Sequence, residues 1–549
     1  MRRGRTAAFS WLAVLPLLPL AGFAFYYSLR YGLRGFSPAA DIVFYGGWQV
    51  ANGHFPHLDF FVSFGAVQYL IQGALMKVFG PSWLVYCAHA AAFNAIYVCL
   101  VYLLLRRFAL SWWISFVYAW CAGITYYPTM GYPQPDKHSF LFLILALLLQ
   151  LQVTADSKGR RVFLYYVGAG ICYLLALFCK ANPTLLYPLA ALAVMLGLRR
   201  DQWMAAILGG LAALLAALSL GLMLAMGHPG FFADLLYYLV TLPGMIAAGR
   251  SGGSWPILKL ADYARFPSIT LAYAALAAGG AILLQRLGEA GDERFRRTVL
   301  IPLLLAASFV LMTVFHILHI GQPPLAHVTL IVPAIALAHA AFLNGIGEGG
   351  ALRRARLALS LLLLVFVAVD VSEYNRITVK RRLSYDADMP MDGMQERGAS
   401  GLPELRYVEF IPLTSQPEFL EGFKAILEEV RAVPGNVMTL GLSPWYYVFG
   451  QKAPVLPAIY IIPGHSSPAE DSLQETNLAA RLAANLERAE VRHLILNPDR
   501  FDAAMQALEQ EGLACGATNE THFARIDLCQ PFRADQVETA RALLRLAGP

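Results

Sequence analysis

Charged residues are scarce in this sequence, and the scarcity is confined to its first two thirds. Of the 549 residues only 14% are charged, whereas a soluble domain has about 25%. Residues 1–371 hold 37 charged residues with a net charge of +13, and residues 372–549 hold 41 with a net charge of −7. These values exclude a wholly soluble enzyme and a disordered chain. They indicate one part built for lipid and one built for water.

Three further features are missing. No spacing of Cys and His is typical of a zinc site, and no convincing internal repeat of the kind found in transporters is present. No small-residue cleavage site follows the first apolar run, which is also longer than the hydrophobic core of a signal peptide. We therefore interpret residues 9–29 as a first membrane span that is not cleaved.

Eleven apolar stretches in the first part are candidates for membrane-spanning helices. The hydrocarbon core of a bilayer is about 30 Å thick, and a helix needs about 20 residues to cross it. The sequence thus predicts a polytopic α-helical membrane protein of about 11 TM helices with a C-terminal α/β soluble domain outside. The predicted spans are 9–29, 83–105, 109–127, 138–153, 162–180, 183–198, 203–226, 266–285, 298–318, 327–345 and 357–371.

The basic residues indicate the orientation of these spans. Cytoplasmic loops of membrane proteins carry an excess of Lys and Arg. With the N-terminus inside, 17 of the 25 basic residues of the first part lie on the inner side, and every inner loop has at least two, such as Arg106 and Arg107. We predict a multi-pass protein of the inner (plasma) membrane with a cytoplasmic N-terminus and a tail outside. The basic pI then needs no nucleic-acid partner.

Alternating helices and short apolar strands predict a layered α/β fold for the tail. The polar stretch 384–403 is interpreted as a linker or mobile loop. We predict a transmembrane domain over 1–371, with a first outer loop over 30–82, and an extracytoplasmic domain over 372–549. The predicted tail elements are helices at 418–431, 473–489 and 500–512 and strands at 437–440, 491–496 and 522–528.

The seven cysteines divide by compartment. Five lie in predicted spans and are interpreted as small apolar packing residues. Cys515 and Cys529 lie in the tail, fourteen positions apart across a predicted hairpin. An oxidising compartment favours a disulfide between them.

The few remaining charges of the first part converge on its outer face, where we expect the chemistry. A charge near the membrane is costly unless it is interfacial, paired or in a water-filled cavity. Interfacial snorkelling explains Arg30, Arg34 and Lys77. The full set of outer charges is Arg30, Arg34, Lys77, Lys137, Lys180, Arg250, Lys259, Arg265, Asp41, Asp59, Asp136, Asp234 and Asp262.

The first outer loop contains two predicted helices. Segment 39–51 has Asn52-Gly53 as its stop signal, with Asp41 in its first turn, where a carboxylate is favoured by the helix dipole. A purely capping role for Asp41 is the alternative interpretation. Segment 62–79, which contains Gln68 and Gln72, is interpreted as an interfacial helix.

The order of these features resembles the GT-C superfamily of polytopic glycosyltransferases. The closest branch is that of the protein O-mannosyltransferases and lipid A aminoarabinose transferases, including Rgt-like transferases. The features that carry the resemblance are an early Asp41, then Gly53-x-x-Pro56-x-x-Asp59, an amphipathic helix ending at Phe79-Gly80, Pro135-Asp136, Lys180-Ala181-Asn182-Pro183 and the soluble outer tail. Family members often carry Asp-Glu at the first-loop position, whereas this chain has Asp41-Ile42.

The resemblance implies transfer of a sugar from a polyprenyl phosphate, such as undecaprenyl phosphate, to an acceptor hydroxyl. It implies Asp41 as the general base, with Asp59 or Asp136 as any second carboxylate. Asp136 would position Lys137 or the acceptor, or else serve only as a helix N-terminal carboxylate. Lys180 would bind the phosphate of the leaving group, the alternative being plain snorkelling, because a departing phosphate needs cationic donors.

Other outer residues are weaker candidates for substrate binding. Arg250, in a glycine-rich segment, and Arg265 could reach a phosphate. His316 and His319 flank an outer loop and are candidates for the donor site. His54 and His57 are expected at the surface. A divalent cation is not favoured, because the branch that the chain resembles generally does without one.

Two other function classes compete with this interpretation. A transporter or flippase would show repeats and charges near mid-membrane, neither of which the sequence has. An O-antigen ligase or polymerase would concentrate Arg and His in a late outer loop, whereas the acidic residues here cluster in the first loop. The acceptor could be an envelope glycan, lipopolysaccharide or a protein.

Overall fold

The computed structural model describes most of the helical part and the core of the tail. The described residues are 15–34, 41–62, 65–126, 131–227, 231–241, 292–320, 328–345, 356–357, 360–361, 363–365, 367–369, 371–372, 416–440, 442, 444–457, 473–496, 501–510, 512–520 and 524–547.

The chain folds into two compact units. The helical unit comprises Met1–Tyr31, Ala90–Ser219 and Arg250–Ser384, and the mixed unit comprises Gly32–His89, Leu220–Gly249 and Tyr385–Pro549. The first outer loop therefore belongs to the same unit as the tail. In chain order the helices are α1 (Leu17–Arg34), α2 (Asp41–Ala51), α3 (Val67–Phe79), α4 (Trp83–Arg107), α5 (Trp112–Tyr126), α6 (Pro135–Gln150), α7 (Gly159–Leu177), α8 (Ala181–Thr184), α9 (Tyr187–Met195), α10 (Arg200–Gly227), α11 (Phe231–Leu236), α12 (Glu293–Phe295), α13 (Ile301–Ile320), α14 (Ile331–Gly345), α15 (Gln416–Ala432), α16 (Trp445–Phe449), α17 (Leu473–Arg488), α18 (Phe501–Gln510) and α19 (Val537–Leu546).

Four helical stretches among the described residues are long and apolar enough to cross a membrane. They are Trp83–Arg107, Gly159–Leu177, Arg200–Met226 and Glu293–Phe315. The last runs through α12, a π-helical turn at Arg296–Leu300 and α13. The shorter helix α14 is also apolar. The predicted span 266–285 lies outside the described residues, and the count of eleven spans stays a prediction.

A buried asparagine joins three helices of the helical unit. The Asn94 side-chain amide on α4 donates to Ser28 Oγ on α1 at 2.7 Å and to the Gly123 carbonyl on α5 at 2.9 Å. A Cβ at Gly123 would lie 2.7 Å from Val98 Cγ1. The close approach of α4 and α5 at this point therefore requires glycine. In an apolar environment the hydrogen bonds that this side-chain amide donates fix how the three helices pack.

The mixed unit contains a four-stranded sheet of order β1-β2-β4-β3. Its strands are β1 (Val437–Leu440), β2 (His493–Leu496), β3 (Cys515–Glu520) and β4 (Arg525–Cys529). β1 pairs in parallel with β2, and β4 runs antiparallel to both β2 and β3. Parallel neighbours need a crossover connection, and α17 lies in it. All four residues of β1 are buried, as its continuous apolar run predicts.

The helices of the tail have apolar faces at helical spacing, as the sequence predicts. On α15, Phe423, Ile426, Leu427 and Val430 are buried, because residues three and four apart share one face. In the hairpin of β3 and β4, Cys515 lies opposite Cys529, and the two sulfurs form a disulfide with their Cα atoms 4.0 Å apart.

Candidate functional site

Asp41 is the first residue of α2, which ends at Ala51 as the predicted stop signal requires. After the helix the chain reverses at Gly53, whose φ of +92° is readily adopted only by glycine. The Asn52 side chain donates to the Trp48 carbonyl at 2.8 Å and closes the last turn. Asp41 thus lies at the positive end of a short helix, where a negative charge is favoured.

Two glycines set the crossing of α2 and α3. A Cβ at Gly47 would overlap the Gln72 side chain, and a Cβ at Gly73 would lie 2.5 Å from Val50 Cβ. Real side chains do not approach so closely. Glycine at both positions therefore permits a backbone contact that holds α2, and with it Asp41, against α3.

The opposite side of α2 is held by the tail. Gln49 Nε2 donates to the Leu456 carbonyl at 2.6 Å, and Tyr45 OH donates to the same carbonyl at 3.3 Å. Trp48 Nε1 donates to the Lys452 carbonyl at 2.9 Å. These side chains were not predicted as functional residues, because their partners are backbone carbonyls some 400 positions later and leave no local pattern.

Asp59 closes the loop that follows α2. Its Oδ2 accepts a hydrogen bond from the Phe55 N–H at 2.6 Å, and the His57 N–H donates to the Phe60 carbonyl at 3.0 Å. These contacts form a tight turn with His57 at a φ of 66°. Asp59 thus has a structural role in the turn, and its predicted role in substrate binding stays a prediction.

The two histidines of this loop are more buried than the sequence suggests. His57 is only 3% exposed, so its expected surface placement is wrong. Burial, and to a smaller extent the positive charge of Arg481, lower the pKa of His57 to about 3. Burial also lowers the pKa of His54, although Asp59 partly opposes the shift. His54 Nδ1 lies 2.6 Å from Gln49 Oε1.

Asp234, one of the predicted outer charges, forms a buried ion pair with the tail. Its Oδ2 lies 2.7 Å from Arg481 NH2, and the Asp234 side chain is 6% exposed. Burial raises the pKa of Asp234, while Arg481 acts in the opposite direction. The pair joins α11 to α17, so Asp234 holds the mixed unit together.

Asp136 and Lys137 lie at the start of α6 in the helical unit. The helix begins with Pro135, and both charged residues are buried, with Lys137 fully so. Lys137 Nζ lies 3.4 Å from Asp136 Oδ2 and donates to Thr329 Oγ1 at 2.6 Å. A buried cation requires both a counter-charge and hydrogen-bond acceptors, and these two contacts provide them.

Two tyrosines hold the backbone around this ion pair. Tyr126 OH donates to the Lys137 carbonyl at 2.6 Å, and Tyr97 OH donates to the Thr329 carbonyl at 2.7 Å. Their rings stack with centroids 4.2 Å apart. Tyr97, Tyr126 and Thr329 were not predicted as site residues, since aromatic and hydroxyl residues in an apolar segment resemble ordinary core residues.

Lys180 is tied to the same helix through its backbone. Ser139 Oγ on α6 donates to the Ala176 carbonyl at 2.7 Å and to the Lys180 carbonyl at 3.2 Å. The Thr184 hydroxyl on α8 also donates to the Lys180 carbonyl. The Lys180 backbone is thus held beside Ser139 on α6, the helix that begins with Pro135, Asp136 and Lys137. A shared role of Asp136, Lys137 and Lys180 in one site stays a prediction.

Other predicted candidates are placed only in part. Arg250 and Arg265 lie outside the described residues, and His316 and His319 lie in the last turns of α13. Asp41 and Asp59 belong to the mixed unit. Among the residues that the structure describes, no group of three or more His, Cys, Asp or Glu could hold a metal ion.

The mixed unit also contains a buried polar row that the sequence analysis did not assign. Gln68 and Gln72 lie one turn apart on α3 and are both fully buried. Gln72 Oε1 lies 2.9 Å from His89 Nδ1, whereas both amide atoms of Gln68 have no hydrogen-bond partner in the described structure. A buried amide without a hydrogen-bond partner lowers the free energy of unfolding by about 1–3 kcal/mol, so stability alone does not explain a glutamine at position 68.

Comparisons with known proteins place the fold. No protein-family model matches the sequence. No curated protein matches it either. Among solved structures, the chain is similar to ArnT from Cupriavidus metallidurans bound to undecaprenyl phosphate, with a TM-score of 0.50 and 11% identity over 99% of this chain and 100% of that one. It is also similar to the Archaeoglobus fulgidus oligosaccharyltransferase in the apo form, with a TM-score of 0.44 and 13% identity over 92% of this chain and 71% of that one. The chain therefore shares its overall fold with the ArnT structure.

Proposed function

We propose that this protein is a glycosyltransferase that moves a hexose or pentose from a polyprenyl-phosphate donor to an acceptor hydroxyl at the outer face of the membrane. One observation carries the proposal. The chain shares its fold, end to end, with ArnT from Cupriavidus metallidurans, whose structure contains undecaprenyl phosphate. The acceptor belongs to the cell envelope, as a glycan, lipopolysaccharide or protein.

The proposed topology has eleven spans, a cytoplasmic N-terminus and a tail on the outer side of the inner membrane. It includes a transmembrane domain over 1–371 and an extracytoplasmic domain over 372–549. The support is the excess of Arg and Lys in alternate loops and the four long apolar helices of the described residues.

The proposed chemistry begins with Asp41. Its carboxylate accepts the proton of the acceptor hydroxyl, and the resulting oxygen nucleophile attacks the anomeric carbon of the donor sugar. The new bond forms as the bond between the anomeric carbon and the phosphate oxygen breaks. Polyprenyl phosphate leaves with the electron pair and with its negative charge, so no proton donor is needed on the leaving side.

Cationic groups stabilise the departing phosphate in this proposal. Lys180 is the leading phosphate ligand, because it follows the apolar helix α7 and its backbone carbonyl accepts a hydrogen bond from Ser139. Arg250, Arg265, His316 and His319 are further proposed ligands of the donor. The Asp136–Lys137 pair is proposed to contact substrate, and its buried hydrogen bonds support a fixed position for the ammonium group.

The proposal is tested by replacing Asp41. We expect Asp41→Asn to lower the transfer rate by at least about 100-fold, the usual contribution of a general base, while the thermal unfolding midpoint is unchanged. The assay follows sugar transfer by mass spectrometry of envelope glycans in cells that carry only the variant. The matched control is Asp156→Asn, an exposed carboxylate in a predicted inner loop. Near-normal transfer by Asp41→Asn would remove it as the base.

The role of Lys180 is tested by the same assay with purified protein. We expect Lys180→Ala to raise KM for the lipid-linked donor with a smaller change in the KM for the acceptor, because only the donor carries the phosphate. Equal changes in both constants would contradict a phosphate role.

A further inference from the structure

A groove in the helical unit, at the opposite end of α6 from Asp136 and Lys137, is lined by both leucines and arginines. It has a volume of about 380 Å³ and lies between the C-terminal parts of α4 and α6. Leucines from both helices, among them Leu103, Leu145 and Leu149, line most of it. Arg106 and Arg107 close one end together with Gln152. The volume falls within the range of about 300–1,000 Å³ that small-molecule pockets have.

The two arginines are held over this groove by hydrogen bonds to neutral groups. Arg106 donates to the Leu110 carbonyl, and Arg107 donates to the Gln152 side-chain oxygen. Each guanidinium has five N–H donors, and each of these bonds uses one of them. Within the part of the chain that the structure describes, neither guanidinium forms an ion pair with a carboxylate. Two adjacent positive charges are therefore without a carboxylate partner among the described residues.

The orienting role of basic residues explains why arginines lie at this end of α4. It does not explain a leucine-lined groove beside them, nor the bond that holds Arg107 across to Gln152. A second groove of about 310 Å³ provides a comparison within the same unit. It is lined by residues such as Phe116, Trp120 and Val371 and contains no cation. An apolar groove between helices in this unit thus does not always have a cationic end. Of the two grooves, the first has one and the second does not.

We propose that this groove binds one anionic glycerophospholipid. The phosphate of the headgroup pairs with Arg106 and Arg107, and an acyl chain lies along the leucines of α4 and α6. Basic pockets between transmembrane helices on the cytoplasmic side recognise such lipids, and the charge pattern predicts this end of α4 to be cytoplasmic. The site is distinct from the proposed transfer site and binds a lipid that is not a substrate.

The test measures lipid retention by the full chain. Purified protein is reconstituted with equimolar phosphatidylglycerol and phosphatidylcholine and examined by native mass spectrometry. We expect the first retained lipid to be phosphatidylglycerol in at least about tenfold preference, since each basic residue near a membrane surface contributes a several-fold factor. Arg106→Gln/Arg107→Gln should abolish the preference. Equal retention of both lipids by the wild type would overturn the proposal.

Two further variants separate this site from general surface charge. Arg160→Gln/Arg161→Gln removes an adjacent, exposed arginine pair at the start of α7 that does not line the groove, and should leave the preference intact. Leu103→Trp, at a side chain 41% exposed, fills the groove while both arginines remain, and should lower retention. An equal loss with the Arg160 and Arg161 variant would contradict a specific site.

Free phosphate is the remaining alternative for the anion. We expect millimolar inorganic phosphate not to displace phosphatidylglycerol, because the leucines contribute to lipid binding and not to phosphate binding. Displacement would show a headgroup site alone and would overturn the proposal of a lipid groove. Thermal unfolding midpoints of all variants verify that each is folded.

Discussion

Lys137 is a cationic residue in the interior of the helical unit. It is fully buried, and the Asp136 carboxylate lies 3.4 Å from its ammonium group. A buried ion pair contributes little net stability, but removal of one partner leaves the other charge uncompensated. The pair is therefore both a proposed functional group and a structural constraint on α6.

We expect Asp136→Asn to destabilise the protein by about 3 kcal/mol, since it removes the carboxylate that pairs with the buried Lys137 ammonium. Asp136→Asn/Lys137→Met should recover most of that loss, because no buried charge remains. The measurement is chemical unfolding in detergent, arranged as a double-mutant cycle. Additive losses in the double variant would show that the two side chains do not interact.

His57 makes stability depend on pH. Burial lowers its pKa from 6.5 to about 3, so the folded protein resists protonation of this ring. The stability contribution is complete above about pH 6.5 and is lost as the pH falls toward 3. At pH 5 the loss is about 2 kcal/mol.

We expect His57→Asn to remove this loss between pH 7.5 and pH 5. Asparagine tolerates the left-handed backbone at this position and does not titrate. The measurement compares the thermal unfolding midpoints of wild type and variant at both pH values. An unchanged pH dependence in the variant would assign the effect to another group.

At the level of single residues, the sequence predicted which positions carry the notable charges better than it predicted which residues contact them. The acidic and basic residues at Asp136, Lys137 and Lys180 were identifiable because charges are rare in apolar segments. Thr329 and Tyr97 were not, because a hydroxyl in an apolar helix has no distinctive spacing. The burial of His57 was also missed, since it depends on packing by distant parts of the mixed unit.

Among the elements, α2 and α3 pack closely against each other. Their crossing depends on Gly47 and Gly73, where a Cβ would overlap the facing helix. Larger residues in such a contact force the backbones apart at a cost of about 1–3 kcal/mol. Because Asp41 begins α2, a shift of this helix also moves the proposed base.

We expect Gly47→Ala to lower stability by about 1–3 kcal/mol and to reduce transfer, because α2 must move away from α3. Gly221→Ala is the matched control, since a Cβ there meets no atom within 4 Å and alanine favours the helix. Thermal unfolding and the transfer assay are the two measurements. A Gly47→Ala variant as stable as the control would contradict the close crossing.

The elements differ in how far the sequence predicts them. Helix α2 occupies 41–51 against a prediction of 39–51, and the continuous apolar run of β1 was predicted at its observed bounds. A hairpin between Cys515 and Cys529 was predicted, but the bounds of its first strand, β3, were not, because Gly516–Asn519 are exposed and lack an apolar alternation. The crossing of α2 and α3 has no signature beyond two glycines, each of which also suits a loop or a flexible helix.

For the whole molecule, the separation of charge along the chain has a direct topological consequence. The chain places 17 of its first 25 basic residues on one predicted side, while the tail is acidic. This pattern predicts the orientation, but it contains no information on the sugar, because sugar recognition depends on hydroxyl contacts that composition does not encode.

We expect single-cysteine labelling to place the two parts on opposite sides. Asp535→Cys in the tail should react with an impermeant maleimide in intact cells, and Lys158→Cys should react only after permeabilisation. Both parent residues are exposed, so access is set by the membrane. Wild-type protein is the control for the native cysteines, most of which are buried. The opposite labelling pattern would reverse the proposed topology.

The hydrogen bonds from α2 to the tail also impose an order on biosynthesis. Residues 45–49 emerge first, whereas their acceptors at Lys452 and Leu456 are made about 400 residues later. At about 5–20 residues per second, this delay is on the order of 20–80 seconds. During this delay the membrane helices of the nascent chain insert, while Trp48 and Gln49 of the first outer loop do not yet have their acceptors in the tail. Any product that stops before the tail lacks the acceptors for Trp48 and Gln49, so α2 becomes fully anchored only near the end of translation.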